Sequence, residues 1–143
     1  MQIFLWEASN NVKVKYTLLI NTFLGIILAL TPFILFPVCS QTKPDGAFMG
    51  CHYSGVLITI MGVIIALASI AAIFARIYVM SFIISVIAAV SCRLIPDRIS
   101  GVSLCGNPDH ACRAVTMPKV DILIFLIVII SVAGLIINFV KSK

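Results

Sequence analysis

The chain has 143 residues, 62% of them hydrophobic and 10% charged, with a formal net charge of +5. A soluble domain carries roughly 25% charged residues. So short a chain cannot hide this much apolar surface from water, so lipid must cover much of it, and no length is left for a separate soluble enzyme domain. The basic residues are scattered among apolar runs, with no basic block or aromatic–basic stripe, which speaks against nucleic acid as a partner.

Ile3 to Trp6 is apolar but too short for the hydrophobic region of a cleaved signal peptide, and Lys13 and Lys15 follow it. This order reads as a retained signal-anchor, with Trp6 suited to the headgroup region. A helix needs about 20 apolar residues to cross the hydrocarbon core. The first such run is 16–38, from Tyr16 to Val38, with Pro32 and Pro37 placed to kink or stop it. The next, Gly55 to Pro96, contains only Arg76 and Arg93 as charges. As one helix it would be about 63 Å long, twice the bilayer core. It must fold back, and the lone mid-run Arg76 marks the reversal at Ala75 to Tyr78, giving spans 55–75 and 77–96. The fourth span is 119–140, where Pro118 suits the first turn, Asp121 complements the helix dipole there, and Lys141 and Lys143 close the end. Gly25, Gly62, Ala66, Ser69 and Gly134 are small residues within the spans that permit close helix contact, though membrane helices commonly carry such residues.

The expected fold is an all-α membrane protein, one membrane domain over 1–143. Its four transmembrane helices form two hairpins, with loops at 39–54 and 97–118 on one side and both termini on the other. Counting Lys and Arg near the helix ends does not orient it. Lys13, Lys15, Arg76, Lys141 and Lys143 on the terminal side balance Lys43, Arg93, Arg98, Arg113 and Lys119 on the loop side. The cysteines do orient it. Cys39, Cys51, Cys105 and Cys112 lie in the loops, with Cys92 at the adjoining end of the third span as a leftover buried thiol. Disulfides persist in oxidising compartments, which places the loops outside and both termini in the cytoplasm.

The four loop cysteines allow three pairings. Local pairing joins Cys39 to Cys51 and Cys105 to Cys112, with Gly106, Asn107 and Pro108 supplying turn chemistry in the second ring. Cross-loop pairing would staple the two hairpins together. Each bond contributes about 2–4 kcal/mol by restricting the unfolded chain. A rival reading is a metal-handling protein for iron or copper. Met49, Cys51, His52, His110, Cys112 and Met117 are soft or borderline ligands on one face, with His52, His110, Met49 and Met117 as the ligands beyond the disulfide cysteines. A second rival is a membrane thiol–disulfide oxidoreductase, against which stands the lack of any C-x-x-C spacing. No H-E-x-x-H and no phosphate-binding glycine loop occurs, and the five acidic residues form no pair on one helix face. Asn21, Asn138 and a few hydroxyls are the firm polar candidates inside the spans, and no carboxylate stands near mid-span as a proton relay needs. The expectation is a protein that is not an enzyme and that carries no cofactor.

The motifs Pro32-Phe33, Leu35-Phe36-Pro37-Val38-Cys39, Cys51-His52-Tyr53-Ser54-Gly55, Arg93-Leu94-Ile95-Pro96, Gly101-Val102-Ser103-Leu104-Cys105 and Ala111-Cys112-Arg113 with Pro118 resemble the pattern of a small bacterial membrane family of unknown function. The resemblance runs from the first span to the last and leaves out Met1 to Asn11. It implies a four-helix protein of the bacterial cytoplasmic membrane, associated with FtsX-like permeases of ABC transporters and their ATPase, at times in metal-related settings. No activity or catalytic residue comes with it. The chain is accordingly expected to be an accessory transporter subunit whose disulfide-braced extracytoplasmic loops contact permease or cargo.

Overall fold

The computed structural model describes residues 2–38, 46, 50–98 and 112–142, with side chains described over 12–38, 46, 50–94 and 114–140. The chain runs α1 (Gln2–Leu30), a π-helical turn (Thr31–Leu35), α2 (Gly50–Ala75), α3 (Tyr78–Arg98), a second π-helical turn (Cys112–Thr116) and α4 (Met117–Ser142). Among the described residues, three helices are long and apolar enough to cross a membrane, over Val12–Leu35, Gly50–Ala75 and Ala114–Val140. The apolar stretch of α3, Tyr78–Leu94, is shorter, about 25 Å against a hydrocarbon core of about 30 Å. The chain is a multi-pass membrane protein, with four α-helices among the described residues. Each helix packs against two others, in the cyclic order α1, α2, α3, α4.

Several helix ends differ from the sequence reading, each for a physical reason. The first helix begins far ahead of residue 16, because Glu7, Asn10 and Asn11 interrupt an apolar run without breaking helical hydrogen bonding. Its α-helical part stops at Leu30, two residues before Pro32, and the next turn widens to π geometry. Pro32 has no N–H to give the ladder, and the turn closes instead through Phe36 N–H to the Thr31 carbonyl and Val38 N–H to the Pro32 carbonyl, both 2.8 Å. The second helix starts at Gly50, so Cys51, His52, Tyr53 and Ser54 are helical residues and not part of a loop ending at 54. Burial decides this. Cys51, Ser54 and Gly55 are all buried, and Gly55 lies so close to Val38 and Pro32 that a Cβ there would come within 2.9 Å and 3.3 Å of their side chains.

The chain reverses between α2 and α3 at Arg76, which adopts φ 58° with no glycine to help it. A helix commonly ends on one residue in this left-handed region, and glycine occupies it at the lowest cost. The fourth helix starts at Met117, so Met117 and Pro118 are helical. Asp121 therefore lies beyond the first turn, away from the dipole position expected for it. It pairs instead with Arg93 of α3, 3.4 Å away, both side chains being about half exposed.

Candidate functional site

The apolar interior has two parts. Toward the Arg76 end, Val14, Leu18, Ala72 and Phe82 form one buried cluster. Toward the Pro32 end, Leu28, Ile58, Ile65, Ala88, Ala89, Cys92, Val120, Ile124 and Ile127 form the other. Between them lies a polar layer built from all four helices. Asn21 stands one turn beyond Leu18 on α1, Ser69 one turn before Ala72 on α2, and Ser85 one turn beyond Phe82 on α3. Ser131 stands one turn before Gly134 on α4, and the Phe82 ring rests on Gly134 so closely that a Cβ there would meet it at 2.4 Å. All four polar residues are fully buried. The Asn21 amide donates to Ser85 Oγ at 2.9 Å and to Ser69 Oγ at 3.4 Å. Asn21 Oδ1 and the hydroxyls of Ser131 and Ser81 are buried with no hydrogen-bond partner among the described residues. A polar residue in a membrane bundle usually bonds across helices, at about 0.6 kcal/mol on average. Here one amide joins α1, α2 and α3.

The seam between α1 and α2 is closed by small residues. A Cβ on Gly62 would lie 2.6 Å from the Ala29 amide nitrogen and 2.8 Å from the Gly25 carbonyl, and one on Gly25 would lie 2.9 Å from the Ala66 nitrogen. Gly25 and Ala29 on α1, and Gly62 and Ala66 on α2, are each four residues apart, the spacing that lets two backbones meet. Thr59 reaches across this seam and donates to the Ala29 carbonyl at 3.0 Å.

At the Pro32 end, the exit of α1 is fastened to the entry of α4. Thr116 donates to the Phe36 carbonyl at 3.2 Å, and the Lys119 ammonium stands 5.9 Å from the centre of the Phe36 ring. His52 is half-buried and meets Phe33 edge-on, with ring centres 5.6 Å apart and planes at 72°, and packs similarly on Tyr53. Cys51 is buried in the first turn of α2, and Cys92 is buried within the Pro32-end cluster. Met117 packs half-buried against that same cluster. Cys39, Met49, Cys105 and His110 lie outside the described residues, as does the side chain of Cys112. Among the described residues there is no disulfide and no group of three His, Cys, Asp or Glu that would hold a metal ion. Asn21 is visible in the sequence as a polar residue mid-span. Of its serine partners, Ser69 stands out there only as a small residue and Ser85 not at all, because only the register of packed helices brings them to Asn21.

A family model described as a domain of unknown function, DUF4418, matches residues 21–137. The chain therefore belongs to the DUF4418 family. No curated protein and no solved structure matches it.

Proposed function

We propose that this DUF4418 protein is an accessory integral-membrane subunit of a bacterial ABC transporter of the FtsX type, held beside the permease in the cytoplasmic membrane. The observation that carries this reading is the lack of any buried charge among the described residues. The buried polar side chains described are Asn21, Thr31, Ser54, Ser69, Ser81, Ser85, Thr116 and Ser131, one amide and seven hydroxyls. Asn21 is spent on contacts between helices, and Thr116 ties the entry of α4 to the exit of α1. Such a bundle offers a fixed shape to a neighbour. The motif resemblance to a family that accompanies FtsX-like permeases supports the identity of that neighbour.

In this reading both termini face the cytoplasm, and the residues around 39–54 and 97–118 face the oxidising side, braced by disulfides among Cys39, Cys51, Cys105 and Cys112. Val38, which leads directly into Cys39, rests on Gly55, one turn along α2 from Cys51. Purification from native membranes in mild detergent tests the reading. The expected result is co-purification of an FtsX-like permease and its ATPase. A protein that migrates alone, and whose deletion leaves the neighbouring transporter fully active, contradicts it.

A further inference from the structure

Val12, Lys15, Tyr16 and Leu19 of α1 line an open groove of about 270 Å³. They stand three, four and seven residues along from Val12, which is the spacing of one helix face. All four are exposed, whereas Val14 and Leu18 of the same turns are buried in the interior. The groove therefore opens outward, away from the bundle. It lies near one end of Val12–Leu35, a stretch long and apolar enough to cross a membrane. Lys15 is thus a cation set among apolar side chains on a lipid-facing surface.

The chain gives that cation no counter-charge along its own helix. Glu7, the nearest acid in sequence, is eight residues away, outside the three- or four-residue spacing of a helical ion pair. Asp121, the one acid among the described side chains, pairs with Arg93 at the opposite end of the bundle. Lys13, Lys15 and Arg76, all exposed, make the Arg76 end basic. An ammonium is costly in hydrocarbon, and a lysine near a helix end escapes by extending to the headgroups. A second copy of this chain docked through the same face would set one Lys15 against another. A neutral apolar helix would leave the charge unanswered. A zwitterionic phospholipid brings a cation of its own beside its phosphate. A phospholipid of net negative charge lays an acyl chain along Val12 and Leu19 and answers the ammonium with its phosphate.

We infer that this groove binds an anionic phospholipid, its phosphate on the Lys15 ammonium and one acyl chain against Val12, Tyr16 and Leu19. The test is native mass spectrometry of the full-length protein, purified in mild detergent and offered phosphatidylglycerol or phosphatidylcholine with the same acyl chains. The expected result is preferential retention of phosphatidylglycerol. Lys15→Gln should lower that retention about fivefold, the scale of one basic side chain at a membrane surface, and Lys15→Arg should keep it. Tyr16→Ala removes a wall of the groove, leaves the charge in place, and should also lower retention. Lys13→Gln removes an equally exposed charge that does not line the groove, and should leave retention close to that of the unaltered chain. All three positions are exposed, so these variants should fold. Equal retention of the two lipids overturns the inference. So do equal losses from Lys13→Gln and Lys15→Gln, which would mean a diffuse surface charge, and unchanged retention in Tyr16→Ala.

Discussion

The two sides of α2 carry the same chemistry in different states. Toward α1, Gly62 and Ala66 meet Gly25 and Ala29 at backbone distance, and the Thr59 hydroxyl is bonded to Ala29. Toward α3, Ala68, Ala71, Ala72 and Ala75 line an open groove, and the Ser81 hydroxyl has no partner among the described residues. The first arrangement holds the bundle together and the second leaves open space between α2 and α3. Small residues in a membrane helix therefore do not all meet a backbone of their own chain. What separates the two kinds is whether a backbone of the same chain lies against them.

The comparison is broken most severely at the filled seam. Gly62→Leu drives a side chain into the backbone of α1, and the loss should exceed about 3 kcal/mol, above the usual range for overpacking because backbone cannot step aside. It should be read as loss of monodisperse protein in detergent. Asn21→Ala strips Ser69 and Ser85 of their shared donor. It should cost about 1–2 kcal/mol, with a coupling to Ser85 visible in a double-mutant cycle of equilibrium unfolding. Thr59→Val keeps the shape of the seam and removes one bond, for a loss of roughly 0.6–1.7 kcal/mol by the same measurement. Arg76→Gly, at the left-handed residue between α2 and α3, should stabilise by about 1 kcal/mol, while Arg76→Val should do the reverse. The smallest effect belongs to Ser131→Ala. Its hydroxyl is buried without a partner among the described residues, so removal should be neutral or slightly stabilising in thermal unfolding.

The helix count was legible in the sequence because hydrocarbon thickness sets how long an uncharged run must be, and a run such as Gly55 to Pro96 is too long for one crossing. The helix ends were less so. Cys51 to Ser54 looks like loop by residue type, yet burying Cys51 and Ser54 and laying Gly55 against Val38 draws that stretch into α2. Asp121 looks like a helix-dipole partner only if α4 begins two or three residues later than Met117. Gly25, Gly62, Ala66 and Gly134 were recognisable as small, but nothing local in the sequence says which neighbour they face. Ala71 and Ala75 pass unnoticed for the same reason. The polar layer is harder still, since Ser69, Ser85 and Ser131 become one site only when Leu18, Ala72, Phe82 and Gly134 fix four helices at a common level.

The contrast between seam and groove is tested most directly by comparing Gly62→Leu at the closed seam with Ala71→Leu on the groove wall. The quantity to measure is the thermal stability of each purified protein in detergent, relative to the unaltered chain. The account predicts a large loss for Gly62→Leu, which meets backbone, and little change for Ala71→Leu, which meets open space. Equal losses from the two substitutions would contradict it.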